Sequence, residues 1–169
     1  GIICAGISKI DICELKPEYT RRINVQGIIA LIDKLVDKGI KPVVLSTDHV
    51  FNGLKNSPYK EEDIQDPVNE YGHQKFIVEK YLQELEIPYL VLRLSKVYGA
   101  EYDDNSFLYQ TAKSLLHNKS VTVAHDLFFS PVEIKDVVRA IMGLVDLCIT
   151  GVVHICSSDQ FSRYDITQR

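Results

Sequence analysis

Short apolar runs alternate along this chain with amphipathic stretches, and this alternation is the feature that most constrains the fold. The runs GIICA, KPVVLS, IPYLVLRLS and GVVHICS are continuous and rich in β-branched residues, as in strands covered on both faces of a sheet. Apolar residues at helical spacing fill much of the sequence between them. Strand, helix and strand at this spacing predict right-handed βαβ units, and therefore an α/β fold with a doubly wound, Rossmann-like parallel sheet.

Helices are predicted between these strands from the spacing of apolar residues and from capping signals. The helix in DPVNEYGHQKFIVEKYLQEL is expected to begin at Pro67, with Asp66 as its cap. The remaining helices are expected over residues 16–38, 106–117 and 133–147, with a short strand over residues 120–124.

Composition and charge restrict the class of protein. The 169 residues are 46% hydrophobic and 25% charged, as in an ordinary globular domain. A net charge of −4, without blocks of like charge, predicts no nucleic-acid partner, and no apolar run reaches membrane-spanning length. The four cysteines lack metal-site spacing and the five histidines are scattered, so we expect buried free thiols, a reducing cytoplasmic location and no metal site.

The ends of the sequence indicate a piece of a longer protein. The chain opens inside the apolar run GIICAG without a start methionine. It stops at SRYDITQR, which has the composition of the first turn of a helix. We therefore expect a fragment that begins and ends within folded structure.

A group of polar residues marks the predicted functional site. Thr47 and Asp48 follow the strand KPVVL directly, and ligands of doubly wound sheets gather at the carboxyl ends of strands. Tyr71 and Lys75 are four residues apart on the next predicted helix, so they share one face. An ammonium near a phenol favours the phenolate and would lower the pKa of Tyr71. A hydroxyl, a proton donor and a cation are the groups that carbonyl reduction needs.

These residues also have a purely structural interpretation, which the residues alone leave open. Pairs of tyrosine and lysine close in sequence arise readily by chance, as Lys16 and Tyr19 illustrate. Thr47 and Asp48 could simply satisfy the end of a strand or cap a turn.

The motifs resemble those of one enzyme family along essentially the whole chain. LSTDHVFNG, followed by SPYKEEDIQDPVNEYGHQK, resembles the segment STDYVFDG…PYxExDxxxPxNxYGxSK of dTDP-4-dehydrorhamnose reductases, which are extended short-chain dehydrogenase/reductases. LRLSKVYG is similar to the family's LRTSWVYG, and GVVHICSSDQFSRYDI to its GxYHxxGxGxxSWYEFA. The resemblance implies reduction of the 4-keto group of a nucleotide-activated deoxysugar by NADP or NAD.

The resemblance also implies roles for individual residues. Tyr71 would donate the proton. Lys75 would adjust the pKa of Tyr71 and hold the ribose of the nicotinamide nucleotide. Thr47 would place its hydroxyl beside the reacting carbonyl, with Asp48 near the sugar.

Further positions match the family's cofactor side. Gly6, Ile7, Ser8 and Ser46 are implied to contact the cofactor, together with Tyr71 and Lys75. Asn24 would support the structure, and Arg93 could form either a buried ion pair or a ligand contact.

The resemblance implies a division of the chain and leaves alternative functions open. Residues 1–100 would be the C-terminal half of a dinucleotide-binding domain, and residues 101–169 mainly a substrate-binding region with a returning strand and helix. The family's glycine-rich turn, which cradles the cofactor pyrophosphate, is absent, so this fragment alone should bind NAD(P)H poorly. A non-catalytic nucleotide-binding regulatory subunit and a nucleotide-sugar epimerase are the alternatives, and a homodimer stays open.

Some substrate-side positions depart from the family pattern. Lys96 stands where the family has a tryptophan that packs on the deoxysugar, and His49 replaces a tyrosine. An ammonium in place of a flat apolar wall would favour a more acidic or phosphate-rich ligand, so Lys96 is a further predicted substrate contact.

Overall fold

The computed structural model describes residues 1–99 and 107–168, and the side chains of all of these except residues 107 and 108. The described residues form eight strands and seven α-helices. The strands are β1 (Ile2–Ile3), β2 (Val43–Thr47), β3 (Leu90–Leu94), β4 (Val97–Tyr98), β5 (Phe128–Phe129), β6 (Val132–Glu133), β7 (Gly151–Ile155) and β8 (Phe161–Ser162). The helices are α1 (Ile10–Leu15), α2 (Pro17–Arg21), α3 (Ile28–Val36), α4 (Glu70–Glu84), α5 (Phe107–Leu116), α6 (Ile134–Asp146) and α7 (Arg163–Thr167).

The chain divides into two compact units. The first comprises Gly1–Leu94 and Cys148–His154, and the second comprises the described residues of Ser95–Leu147 and Ile155–Arg169. None of the helices in the described ranges has both the length and the apolar character required to cross a bilayer.

The first unit is built on a four-stranded sheet in the order β1-β2-β3-β7. β2 runs parallel to both β1 and β3, with Val43 opposite Leu90 and Thr47 opposite Leu94. The β-branched and leucine side chains of β2 and β3 are almost all buried, as expected for strands covered on both faces. The predicted α/β class with a parallel sheet is therefore confirmed.

One hydrophobic cluster holds helices α3 and α4 against this sheet. Its buried members come from both helices and from the first three strands, and they are Ile3, Ile28, Ile32, Val44, Val78, Leu82 and Val91. The packing fixes α4 relative to β2, whose carboxyl end carries the predicted site residues.

The helix predicted over residues 16–38 is found over residues 17–36, but it is wrong as a single regular α-helix, because a π-helical segment interrupts it. Lys16 leaves helical geometry between α1 and α2, and Pro17, which lacks an N–H donor, opens α2. One π-helical segment, Arg22–Gly27, then joins α2 to α3 and buries Asn24. Such π-bulges are rare and occur frequently at functional sites.

The predicted start of α4 at Pro67 is also wrong, and the helix begins three residues later. Asp66 does not cap it, because its carboxylate accepts a hydrogen bond from Asn52 Nδ2 at 2.8 Å and its N–H bonds Val50 O. Asn69 is the cap instead: its Oδ1 accepts from Gly72 N at 2.8 Å.

In the second unit, β4 pairs with β6 in parallel and β5 pairs with β8 in antiparallel fashion. The strand predicted over residues 120–124 is wrong: these residues lie in irregular structure, and no described strand pairs with them. Their alternating apolar pattern alone does not make a strand, since a lone strand leaves its backbone groups unpaired.

The expectation of buried cysteines holds at one position. Cys13 is buried, whereas Cys4, Cys148 and Cys156 are exposed, and none of the four is in a disulfide. The exposed ones follow the ends of β1, α6 and β7, where the chain leaves the packed elements.

Candidate active site

The carboxyl end of β2 turns sharply at Thr47. The backbone enters a single 3₁₀ turn, Asp48–Val50, and Thr47 caps it by accepting a hydrogen bond from His49 N at 3.2 Å. The Thr47 hydroxyl donates to Asp48 Oδ1 at 3.1 Å. Thr47 is buried and Asp48 is exposed, so the turn presents one carboxylate to solvent above a buried hydroxyl.

Helix α4 approaches this turn unusually closely, and Gly72 is the reason. A Cβ at Gly72 would lie 2.2 Å from His49 O and 3.0 Å from Pro67 Cβ, so only glycine permits this contact. The capping residue Asn69 joins the same junction, with its Nδ2 3.1 Å from His49 Nδ1. Neither role was predicted from the sequence, although N-x-x-G over residues 69–72, at the start of the tyrosine–lysine helix, was a visible signal.

This junction brings Tyr71 beside Thr47. The Tyr71 ring lies edge-on to the ring of His49, with 6.1 Å between centroids. Burial, and then the negative charges of Asp48 and Cys13, raise the pKa of Tyr71 to about 12, against the lowering effect of a hydrogen bond with the Thr47 hydroxyl. Tyr71 is therefore a neutral phenol at physiological pH.

The expectation that Lys75 lowers the pKa of Tyr71 is wrong in this structure. The Lys75 Nζ lies 5.9 Å from the centroid of the Tyr71 ring and donates to Leu45 O at 2.8 Å. Burial lowers the pKa of Lys75 itself, although the charges of Glu79 and Cys13 oppose this effect. Lys75 is buried. At this separation, the loss of solvent around the phenol raises the pKa of Tyr71 by more than the ammonium of Lys75 can lower it.

The loop Gly6–Ser8 meets α4 at Lys75. Gly6 has a φ of 151°, in a region that L side chains rarely adopt, and a Cβ there would lie 3.9 Å from Lys75 Nζ. Asn24 supports the loop from the π-helical segment: its Oδ1 accepts from Ile7 N at 2.7 Å and its Nδ2 donates to Ile7 O at 2.8 Å. Gly6 and Ser8 are exposed beside this support.

Ser46 and Arg93 belong to a buried ion-pair network rather than to the surface of the site. The Ser46 hydroxyl donates to the fully buried carboxylate of Glu79, and Arg93 Nη2 donates to the same carboxylate at 2.8 Å. Of the two alternatives for Arg93, the structure has the buried ion pair. A cofactor contact by Ser46 stays a prediction.

His154 completes this network as a neutral imidazole. Arg93 Nη1 lies 3.2 Å from His154 Nε2, and because a guanidinium can only donate, this nitrogen accepts and carries no proton. Burial, as the largest cause, lowers the pKa of His154. The backbone N–H of His154 donates to Glu61 Oε1 at 2.9 Å, which lowers the pKa of Glu61.

Lys96 lies in the second unit, between β3 and β4. Its side chain is exposed, and its carbonyl oxygen accepts from Val132 N at 2.9 Å. Its contact with substrate stays a prediction, as do the roles of the other site residues.

Comparison with known proteins places this geometry in a family. The chain is 29% identical over 171 residues to the probable low-salt glycan biosynthesis reductase Agl14 of Haloferax volcanii, covering 99% of this chain and 57% of the relative. It is also 29% identical to methionine adenosyltransferase 2 subunit beta of Bos taurus, over 96% of this chain and 51% of that protein. The crystal structure of dTDP-4-dehydrorhamnose reductase from Bacillus anthracis in complex with NADP superimposes with a TM-score of 0.91, at 28% identity, covering 99% of this chain and 59% of the other.

The chain thus spans somewhat more than half the length of these relatives. The sequence pattern of the RmlD substrate binding domain matches residues 2–169, which is all of the chain except its first residue. This chain belongs to the RmlD substrate binding domain family.

Proposed function

We propose that the whole protein uses NAD(P)H to reduce the 4-keto group of a nucleotide-activated deoxysugar. This is the type of reaction for which dTDP-4-dehydrorhamnose reductases are named. The observation that carries this proposal is the meeting of Thr47, Tyr71 and Lys75 at the carboxyl end of β2. The reductase names of two of the relatives described above support it.

Tyr71 is the proton donor in this proposal. Its phenol is protonated at neutral pH, as a general acid must be before it reacts. As hydride adds to the carbonyl carbon, the phenol O–H bond breaks and its proton moves to the developing alkoxide. The Thr47 hydroxyl turns from Asp48 Oδ1 to donate to the same oxygen, and the positive charge of Lys75, 5.9 Å from the Tyr71 ring centroid, partly offsets the cost of a buried phenolate on Tyr71.

The residues at the Gly6–Ser8 loop fit a nicotinamide nucleotide. Gly6 has no side chain in front of the Lys75 ammonium, where a Cβ would come within 3.9 Å of Nζ. An ammonium has three donors, and within the described residues Leu45 O is the acceptor found for Lys75. Lys75 would hold the ribose hydroxyls, and the loop residues Ile7 and Ser8 would line the nucleotide site. The bound nucleotide, NADPH or NADH, would supply the hydride.

The substrate side of the site is formed by Asp48 and Thr47 in this proposal. Asp48 is exposed next to the buried Thr47 hydroxyl, so its carboxylate can accept from sugar hydroxyls while Thr47 addresses the ketone. Lys96 would attract the phosphates or another acidic group of the ligand.

The test is turnover of the full-length protein in two phenylalanine variants. Tyr71→Phe should lower kcat for NAD(P)H oxidation with 4-keto nucleotide sugars by a factor on the order of 100 or more, since the general acid is lost. Tyr81→Phe is the matched control: Tyr81 lies on the same helix, but its hydroxyl donates to Asp33 rather than to a site residue. Wild-type turnover in Tyr71→Phe would refute the role of Tyr71.

A second candidate is a nucleotide-binding regulatory subunit without turnover. It is favoured by the relatives named methionine adenosyltransferase 2 subunit beta, which match as closely in sequence as the reductases do. Such a protein would bind NAD(P)H in a titration and yet oxidise none with any 4-keto nucleotide sugar. An epimerase would instead convert a nucleotide sugar without net consumption of nicotinamide.

A further inference from the structure

The amide of Gln74 lies fully buried at the residue before Lys75, and it makes three hydrogen bonds. Its Nε2 donates to Thr20 Oγ1 and to Glu70 Oε1, each at 2.8 Å. Its Oε1 accepts from Asn24 Nδ2, also at 2.8 Å. The amide therefore connects the first turn of α4 to the π-helical segment.

Glu70 determines which way round this amide lies. Burial would raise the pKa of Glu70, but hydrogen bonds from Arg21 and Gln74 outweigh burial and lower it, so the carboxylate stays ionised. An ionised carboxylate can only accept. The Gln74 NH₂ must therefore face Glu70, which leaves the Gln74 oxygen facing Asn24.

Asn24 transmits this orientation to the loop. Because the Gln74 oxygen faces Asn24, the Asn24 NH₂ must point toward it, and that NH₂ also donates to Ile7 O. The Asn24 oxygen then faces Ile7 N and accepts from it at 2.7 Å. Both backbone polar groups of Ile7 are thus held by one side chain, which in turn donates a hydrogen bond to Gln74.

We propose that Gln74 is a positioning residue that fixes the Gly6–Ser8 loop relative to Lys75, and with it the binding geometry of the nicotinamide nucleotide. The part that concerns the nucleotide rests on the proposed function, whereas the link from Gln74 to Ile7 does not. The resembling family segment has serine at this position, and a serine side chain is too short to bridge Glu70 and Asn24.

The test compares Gln74→Met with Gln65→Met in the full-length protein. Methionine keeps the length of glutamine but not its amide. Gln65 is the matched control because its Nε2 also donates to a glutamate, Glu79, at 2.7 Å, and Glu79 bonds Ser46 and Arg93 rather than Asn24. Hydrogen exchange at the Ile7 amide should be about tenfold faster in Gln74→Met, the scale of one lost hydrogen bond, and unchanged in Gln65→Met.

Steady-state kinetics supply the second measurement. In Gln74→Met, the KM for NAD(P)H should rise about tenfold while kcat stays within about threefold, because the loop rather than the proton donor is displaced. Loss of stability alone would not separate KM from kcat in this way.

The outcomes separate this inference from the proposed function. Unchanged exchange at Ile7 in Gln74→Met overturns the inference, and faster exchange with an unchanged KM for NAD(P)H overturns its cofactor part. Absence of turnover in the wild type would refute the proposed function. Hydrogen exchange at the Ile7 amide would still test whether Gln74 holds the Gly6–Ser8 loop. If Gln74→Met does not fold, Glu70→Met removes the acceptor that orients Gln74, and it should also speed exchange at Ile7; unchanged exchange there overturns the inference.

Discussion

Replacement of Gly72 by alanine tests the contact that creates the site. A Cβ at this position would lie 2.2 Å from His49 O, whereas real Cβ atoms essentially never come within 3.0 Å of another heavy atom. The obstacle is a backbone carbonyl, which cannot rotate away as the end of a side chain can. The α4 backbone and the turn after Thr47 must therefore move apart by roughly 1 Å to restore an ordinary contact.

The clash should reverse the usual effect of this substitution. In the interior of a helix, alanine is favoured over glycine by about 1 kcal/mol. Overpacking against backbone costs about 1–3 kcal/mol and offsets this gain, so we expect Gly72→Ala to lower the free energy of unfolding by up to about 2 kcal/mol. A displacement of 1 Å at the phenol would also lower kcat of the full-length protein about 100-fold.

Gly143 offers a matched control in α6, because no atom of the described residues lies within 4 Å of a Cβ built there. Gly143→Ala should therefore raise the free energy of unfolding by about 0.5–1 kcal/mol. Thermal and urea unfolding of the two variants, followed by circular dichroism, measure the difference, at about 2–4 °C of Tm per kcal/mol. A Gly72→Ala variant that is as stable as Gly143→Ala would refute this reasoning.

The buried network of the first unit yields two more predictions. Arg93→Met leaves Glu79 buried without its ion pair and should lower the free energy of unfolding by about 3–5 kcal/mol in urea, whereas Arg139→Met, in an exposed pair, should change it by less than about 1 kcal/mol; equal losses would contradict this. His154 has a lowered pKa when folded and titrates near 6.5 when unfolded, so unfolding takes up a proton as the pH falls below that value. The free energy of unfolding should therefore decrease from about pH 7 downward, less steeply in His154→Gln; equal slopes would refute this assignment.

The sheet and the positions of the candidate site residues within the fold were predictable from the sequence because their signals are local. The continuous apolar runs predicted β2 and β3, and the polar group at Thr47 and Asp48 lies where the strand ends, as expected. The four-residue spacing of Tyr71 and Lys75 predicted a shared helix face, and both side chains do lie toward β2.

What the sequence could not predict depends on contacts between distant segments. The start of α4 was placed wrongly because Asp66, a good capping residue, bonds Asn52 instead. The pKa of Tyr71 was predicted in the wrong direction because neither its burial nor the engagement of Lys75 by Leu45 O is visible in a spacing of four residues.

A crystal structure of the full-length protein with oxidised nicotinamide nucleotide and the 4-hydroxy product sugar would show directly whether Tyr71 and Thr47 share the reacting oxygen. We expect the sugar O4 to lie within hydrogen-bond distance, about 2.6–3.2 Å, of both Tyr71 Oη and Thr47 Oγ1. A sugar bound with O4 facing other groups, and the phenol still enclosed by its present neighbours, would contradict this expectation.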